Sequence, residues 1–218
     1  EKTDRTEKLK TDRITINQQE EMRMKKIDKL AIFLIPIGVA LNFIGAQIAM
    51  LLKLPVYLDA IGTIVVGALC GGIPGAVVGV ISNTINSITY PAYVWYGIIS
   101  AIYGILAAYL SRRKVFCSLW KTVLASLLFA TIGGVLNSCI TWILFGFNFA
   151  TDTTAIFAIP LHSALGFPKF AAQMIAAICM DVADKFLSVM AMFFILKSMP
   201  NRFLVKLKLG DVYIKEAK

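Results

Sequence analysis

Residues 57–90, YLDAIGTIVVGALCGGIPGAVVGVISNTINSITY, decide what kind of molecule this chain is. Two apolar runs are broken by Gly71, Gly72 and Pro74. Gly75 and Gly79 open the second run, and Asn83 and Asn86 close it. Such punctuation breaks a water-soluble helix. In a bilayer, small residues let helices approach closely, and neighbouring helices satisfy the backbone groups that a break frees. The stretch therefore predicts a membrane-embedded helical hairpin with its asparagines at a ligand-facing end.

Composition supports the same class. The chain is 58% hydrophobic and 16% charged, against about 25% charged in an ordinary soluble domain, and its mean hydropathy is +0.74. Its 218 residues suit roughly six spans of about 20 residues each. The apolar runs are 30–52, 57–70, 74–88, 93–110, 119–145 and 170–196. The expected fold is an all-α membrane protein of six transmembrane helices. A polar tail precedes it (1–29), the membrane domain covers 30–197, and a basic tail follows (198–218). Within the first tail, residues 1–21 read as solvated, and Met22 or Met24 would be a natural start.

The net charge of +9 reports topology rather than nucleic-acid binding. Nine of the 22 Lys and Arg precede Leu30, four lie between Ser111 and Lys121, and six run from Lys197 onward. The opposite connections hold only Lys53 and Lys169. By the positive-inside rule both termini are cytoplasmic. Cys70, Cys117, Cys139 and Cys179 lack metal-ligand spacing and read as small apolar fillers, so no disulfide framework, metal site or cofactor is expected.

Three runs carry small or polar residues at helical spacing: Gly75, Gly79, Asn83, Asn86 and Tyr90; Thr122, Ser126, Ala130, Gly133, Asn137 and Thr141; Gln173, Ala177, Asp181, Asp184 and Ser188. Those faces turn away from lipid. Tight packing explains the Gly, Ala and Ser positions, whereas Asn83, Asn86 and Asn137 suit packing and a pocket equally. Asp181, Asp184 and Lys185 are the only ionisable residues deep in a run, where a charge costs about 2.5–3.5 kcal/mol. Asp181 and Lys185, four apart, are expected to form an ion pair on one helical turn. Asp59 is expected to cap the second helix near Gly62. Aromatic residues crowd the outer half, partly as an interfacial belt, and the long 146–169 connection, with Asp152, Pro160 and His162, has the length of a lid.

YLDAIGT entering the second run, GALCGGIPGAVVG at the hairpin, N-x-x-N ending the third and DVADKFLSV in the last together resemble the substrate-binding S component of an energy-coupling factor (ECF) transporter. The similarity spans the whole membrane domain. It implies an importer subunit in the plasma membrane of a bacterium that captures a water-soluble vitamin from outside. A transmembrane coupling protein (T component) and two ATPase subunits would supply the energy, with delivery by toppling of the bundle. It further implies a pocket of amide groups from Asn83, Asn86 and Asn137, with Tyr90, Trp95, Tyr96 and Trp142 as ring contacts and Gln173 and Asp181 from the last helix. Amides beside aromatic faces suit a heteroaromatic ring, as in riboflavin, pyridoxine, cobalamin or a nucleoside. S components dock on the coupling protein through small residues of the first helix, where this chain offers Gly38, Ala40, Gly45 and Ala49.

The chain has no G-x-x-x-x-G-K-[ST] loop to cradle phosphates, so ATP hydrolysis falls to partners. A membrane ligand sensor is a second reading, for which the segment after Lys197 is short. An intramembrane enzyme using Asp181 and Asp184 lacks a partner motif on another run. A self-sufficient secondary transporter would couple ions through Asp181, but internal repeats are not evident.

Overall fold

In the computed structural model, residues 30–149 and 154–214 are described. The 1–29 tail and the last four residues lie outside that description. Among the described residues the chain is all helical. Its principal helices are α1 (Leu30–Leu51), α2 (Ile61–Cys70), α3 (Gly72–Asn86), α4 (Tyr93–Arg112), α5 (Leu119–Leu144), α6 (Ala155–Ser163) and α7 (Lys169–Ser198). A short helix α8 (Asn201–Leu204) and single 3-10 turns at Val115–Cys117 and Gly210–Tyr213 complete it.

Three helices, α1, α4 and α5, are long and apolar enough to cross a membrane. Helix α7 has the length, at 30 residues, but carries charges at its middle. Helix α2 has only 10 residues, about 15 Å at 1.5 Å per residue, and starts later than the apolar run suggests. Residues 53–60 stay non-helical, with Lys53 and Leu58 at positive φ (50° and 52°). The N–H groups of Lys53, Leu54, Tyr57 and Leu58 find acceptors inside the protein, as non-helical chain at membrane depth requires.

The outward faces are apolar, with Phe33, Leu124 and Phe194 exposed, while the interior holds buried Asn42, Thr63, Ser82, Asn83, Gln173, Asp181, Asp184 and Lys185. This inside-out distribution fits a lipid surrounding, in which the polar groups must satisfy one another. Helix α3 packs most extensively on α4, α5 on α7, α2 against α3, α4 and α7, and α6 on α7. The α2–α3 break at Gly71 uses φ +109°, a backbone region that side chains rarely tolerate. Just beyond it, three helices meet at glycines. A methyl group at Gly75 would sit 2.6 Å from the Gly67 Cα and 2.9 Å from the Gly104 Cα, so no larger residue fits the crossing.

Helix α1 docks on α2 in the same way. A methyl group at Gly62 would overlap the Gly38 carbonyl, and one at Gly45 would overlap the Leu58 carbonyl. The buried stripe of α1 is Ala31, Leu34, Gly38, Asn42, Gly45 and Ala49. Gly38, Gly45 and Ala49, expected to meet a partner, are instead covered within the chain, and Ala40 alone of the four faces outward. Asn42 is the polar centre of this contact. Its Nδ2 donates to Thr63 Oγ1 (2.8 Å) and Ser82 Oγ (3.0 Å), while its Oδ1 accepts from the N–H groups of Gly62 (2.7 Å) and Thr63 (3.3 Å). The first N–H groups of α2 thus find an acceptor on α1. Asp59 does not cap α2: Ala60 holds the N-cap position without a side-chain bond.

Part of the expected C-terminal tail is folded. Leu204 and Leu207 are buried in the core, the Leu209 N–H donates to the Leu69 carbonyl at the end of α2 (2.9 Å), and the Tyr213 hydroxyl donates to Ser111 Oγ (2.6 Å). Ser111 Oγ in turn donates to the Ala68 carbonyl (2.7 Å). Apolar residues interleaved with Arg202, Lys206 and Lys208 allow the segment to be basic outside and packed inside. Burial holds the Tyr213 phenol well above its usual range.

Candidate functional site

A cavity of about 690 Å³ opens between α1, α3, α4, α5, α6 and α7. Five of the chain's seven tyrosines line it: Tyr57, Tyr90, Tyr93, Tyr96 and Tyr103. Tyr93 stacks edge-on with both Tyr90 (ring centroids 5.8 Å apart) and Tyr96 (6.4 Å). One side of the cavity is therefore a continuous aromatic wall. Its rim includes Lys53, Thr89 and Tyr90 from the interhelical connections, and Ile156 of α6.

Helix spacing places the polar groups. Asn83 lies one turn beyond Gly79, where α3 and α4 touch closely: a methyl group on Gly79 would be 2.7 Å from Ser100 Cβ. The Asn83 Nδ2 donates to the Gly79 carbonyl (2.9 Å) and to Ser100 Oγ (2.7 Å). Its Oδ1, buried in the cavity wall, has no hydrogen-bond partner among the described residues. Across the cavity, Asn137 Oδ1 accepts from Thr141 Oγ1 (3.0 Å), which is bonded to the Tyr96 hydroxyl (2.7 Å).

The floor holds the charged groups. Lys185 forms an ion pair with Asp184, correcting the expected pairing with Asp181. Asp184 is spoken for on both oxygens, because its Oδ1 also accepts the N–H groups of Tyr57 (2.9 Å) and Leu58 (2.6 Å). The buried carboxylate therefore pins the non-helical 53–60 segment to α7. The Lys185 ammonium lies 4.9 Å over the Tyr103 ring, a cation–π contact. Asp181 accepts a hydrogen bond from the Tyr103 hydroxyl directly against Gly133, where a methyl group would collide with both. Gly133 thus leaves the space in which tyrosine and carboxylate meet. Asp59, half-buried, lines the cavity beside this group.

Of the nine residues expected to bind substrate, the cavity brings together Asn83, Tyr90, Tyr96, Asn137 and Asp181. The other four lie elsewhere. Asn86 is buried at the end of α3, off the cavity. Trp95 is 54% exposed on the outer face of α4. Trp142 stacks edge-on with Phe147 (6.0 Å) and Phe170 (5.3 Å). Gln173 is buried and donates to Thr154 Oγ1 (3.1 Å), tying the start of α6 to α7. Ala49, expected to face a partner, lines the cavity. Tyr57 and Tyr103, which carry much of the wall and floor, were not foreseen as site residues. Their signal was a tyrosine inside an otherwise apolar run. His162, in the 146–169 connection, has its Nδ1 2.7 Å from the Phe167 carbonyl and stays off the cavity. Among the described residues no cluster of His, Cys, Asp or Glu could hold a metal ion. Comparison with known protein families, with curated proteins and with solved structures finds no match to this chain.

Proposed function

We propose that this chain is a solute-capturing membrane subunit of the S-component type. It would have six membrane segments, α2 and α3 forming the short hairpin, and both termini in the cytoplasm of a bacterial cell. Substrate would enter from outside and be handed inward by toppling, powered by a T component and two ATPase subunits.

The observation that carries this reading is the tyrosine-walled cavity. Its volume falls in the range of about 300–1,000 Å³ of small-molecule sites. It lies along the Tyr93–Tyr103 half of α4, so its deepest lining residue on that helix is about 14 Å, and its mouth about 28 Å, along the axis from the basic turn after Arg112. A binding site at the end remote from the Lys/Arg-rich connections is an external site under the positive-inside rule. Rings of tyrosine provide flat apolar area, while Asn83 and Asn137 offer amide groups at the edges, so a vitamin-like heteroaromatic molecule suits the site.

The test is reconstitution in vesicles. The chain alone should bind a labelled vitamin but not accumulate it, and accumulation should require the coupling protein, both ATPases and ATP. Accumulation driven by an ion gradient through the chain alone would overturn this reading in favour of secondary transport.

A further inference from the structure

At and behind the cavity floor, carboxyl groups outnumber the cations beside them. Asp59, Asp181 and Asp184 all interact with one buried cation, Lys185. Asp184 is consumed by Lys185 and by two backbone N–H groups. Asp59 and Asp181 are left facing the cavity, and among the described residues the only other lining cation, Lys53, is exposed at the rim. A carboxyl group in a site of low dielectric stays ionised only beside a positive partner, which a bound cation would supply.

A second observation points the same way. Asn83 is 1% exposed, both protein bonds of its amide are made by Nδ2, and its Oδ1 is left as an acceptor in the cavity wall without a partner among the described residues. A buried acceptor without a donor costs about 1–3 kcal/mol, which a ligand N–H would recover. Carboxylates, an open amide oxygen and five tyrosine rings all favour positive charge and N–H donors, the rings through their negative faces.

We propose that the ligand is an organic cation: a heteroaromatic ring that carries a positive charge and an amino or amide N–H. The charge faces Asp59 and Asp181, the N–H donates to Asn83 Oδ1, and the ring lies against the Tyr90–Tyr93–Tyr96 wall. This rests on the cavity being the capture site of the importer subunit described above.

The test is calorimetric binding to the full chain in nanodiscs, using pairs that differ in charge but little in shape. N-Methylated pyridinium carboxamide is compared with the neutral pyridine carboxamide and the anionic pyridine carboxylate. The cations should bind at least tenfold more tightly than their neutral and anionic counterparts, about 1.4 kcal/mol. Asp181→Asn and, separately, Asp59→Asn should each lower the cation's affinity about tenfold more than that of its neutral counterpart, a loss of selectivity that mere misfolding would not produce. Neutral or anionic compounds binding as tightly as the cations, or no cation binding at all, would overturn the proposal. Failure of the importer reading would appear differently, as partner-independent accumulation with the charge preference intact.

Discussion

Replacing Asn42 by leucine removes the polar centre of the α1–α2–α3 contact while keeping the side chain's approximate volume. Four hydrogen bonds are lost. At about 0.6 kcal/mol for an average bond between membrane helices, the sum is about 2.4 kcal/mol. Counted instead as stranded donors, the buried N–H groups of Gly62 and Thr63 at the start of α2 cost about 1–3 kcal/mol each. The two routes meet near 3 kcal/mol, and this is the destabilisation expected of Asn42→Leu. Equilibrium unfolding of the purified chain in a mixed detergent series should measure it. The Thr63→Val variant should cost less, because it leaves three of the four bonds in place, and the double variant should fall short of the sum by about 0.5–1 kcal/mol. A loss below about 0.5 kcal/mol for Asn42→Leu, or strict additivity with Thr63→Val, would show that α1 is held by its glycine contacts and not by this side chain.

Other substitutions probe separate parts of the structure. Gly62→Ala inserts a methyl group into the Gly38 backbone and should lower stability by about 1–3 kcal/mol, as overpacking does, visible as a reduced thermal midpoint. Trp95→Ala should leave ligand affinity within about twofold, since that ring lies off the cavity. Tyr103→Phe, which deletes the hydroxyl held by Asp181, should weaken binding about tenfold in the same calorimetric assay. Cys117, exposed in the 3-10 turn before α5, should react with an impermeant maleimide only after cells are permeabilised, when the other three cysteines are replaced by serine or alanine. Partial burial holds that thiol above its usual range despite Lys114 and Lys121 nearby. Because the thiolate is the reactive form, labelling should rise with pH and stay slower than that of a free cysteine at each pH. Labelling of intact cells would place the 112–114 turn outside and reverse the proposed orientation.

Much of the site could be anticipated where one helix decides the outcome. Asn83 sits at helical spacing from Gly75 and Gly79, so once that face packs against α4 the asparagine must point inward. The same periodicity put Asp181 and Asn137 on inner faces. It did not separate Asn83 from Asn86, because both are buried and only the position of α4 and of the 53–60 segment determines which one meets the cavity. Trp95 and Tyr96 are neighbours in sequence, and a rotation of 100° between adjacent helical residues sends one outward and the other to the wall.

Composition, hydropathy and the Gly71 break by themselves determined the all-helical class, the apolar segments and the hairpin, because these follow from local geometry and from the medium a residue tolerates. Tertiary structure alone decided who pairs with whom. Lys185 could reach a carboxylate at either neighbouring position on α7, and it takes Asp184 because Tyr57 and Leu58 bring their N–H groups to the same side chain from more than 120 residues away. That choice leaves Asp181 for Tyr103 and the cavity. A pattern along one helix cannot encode it, since the deciding donors arrive from another part of the chain.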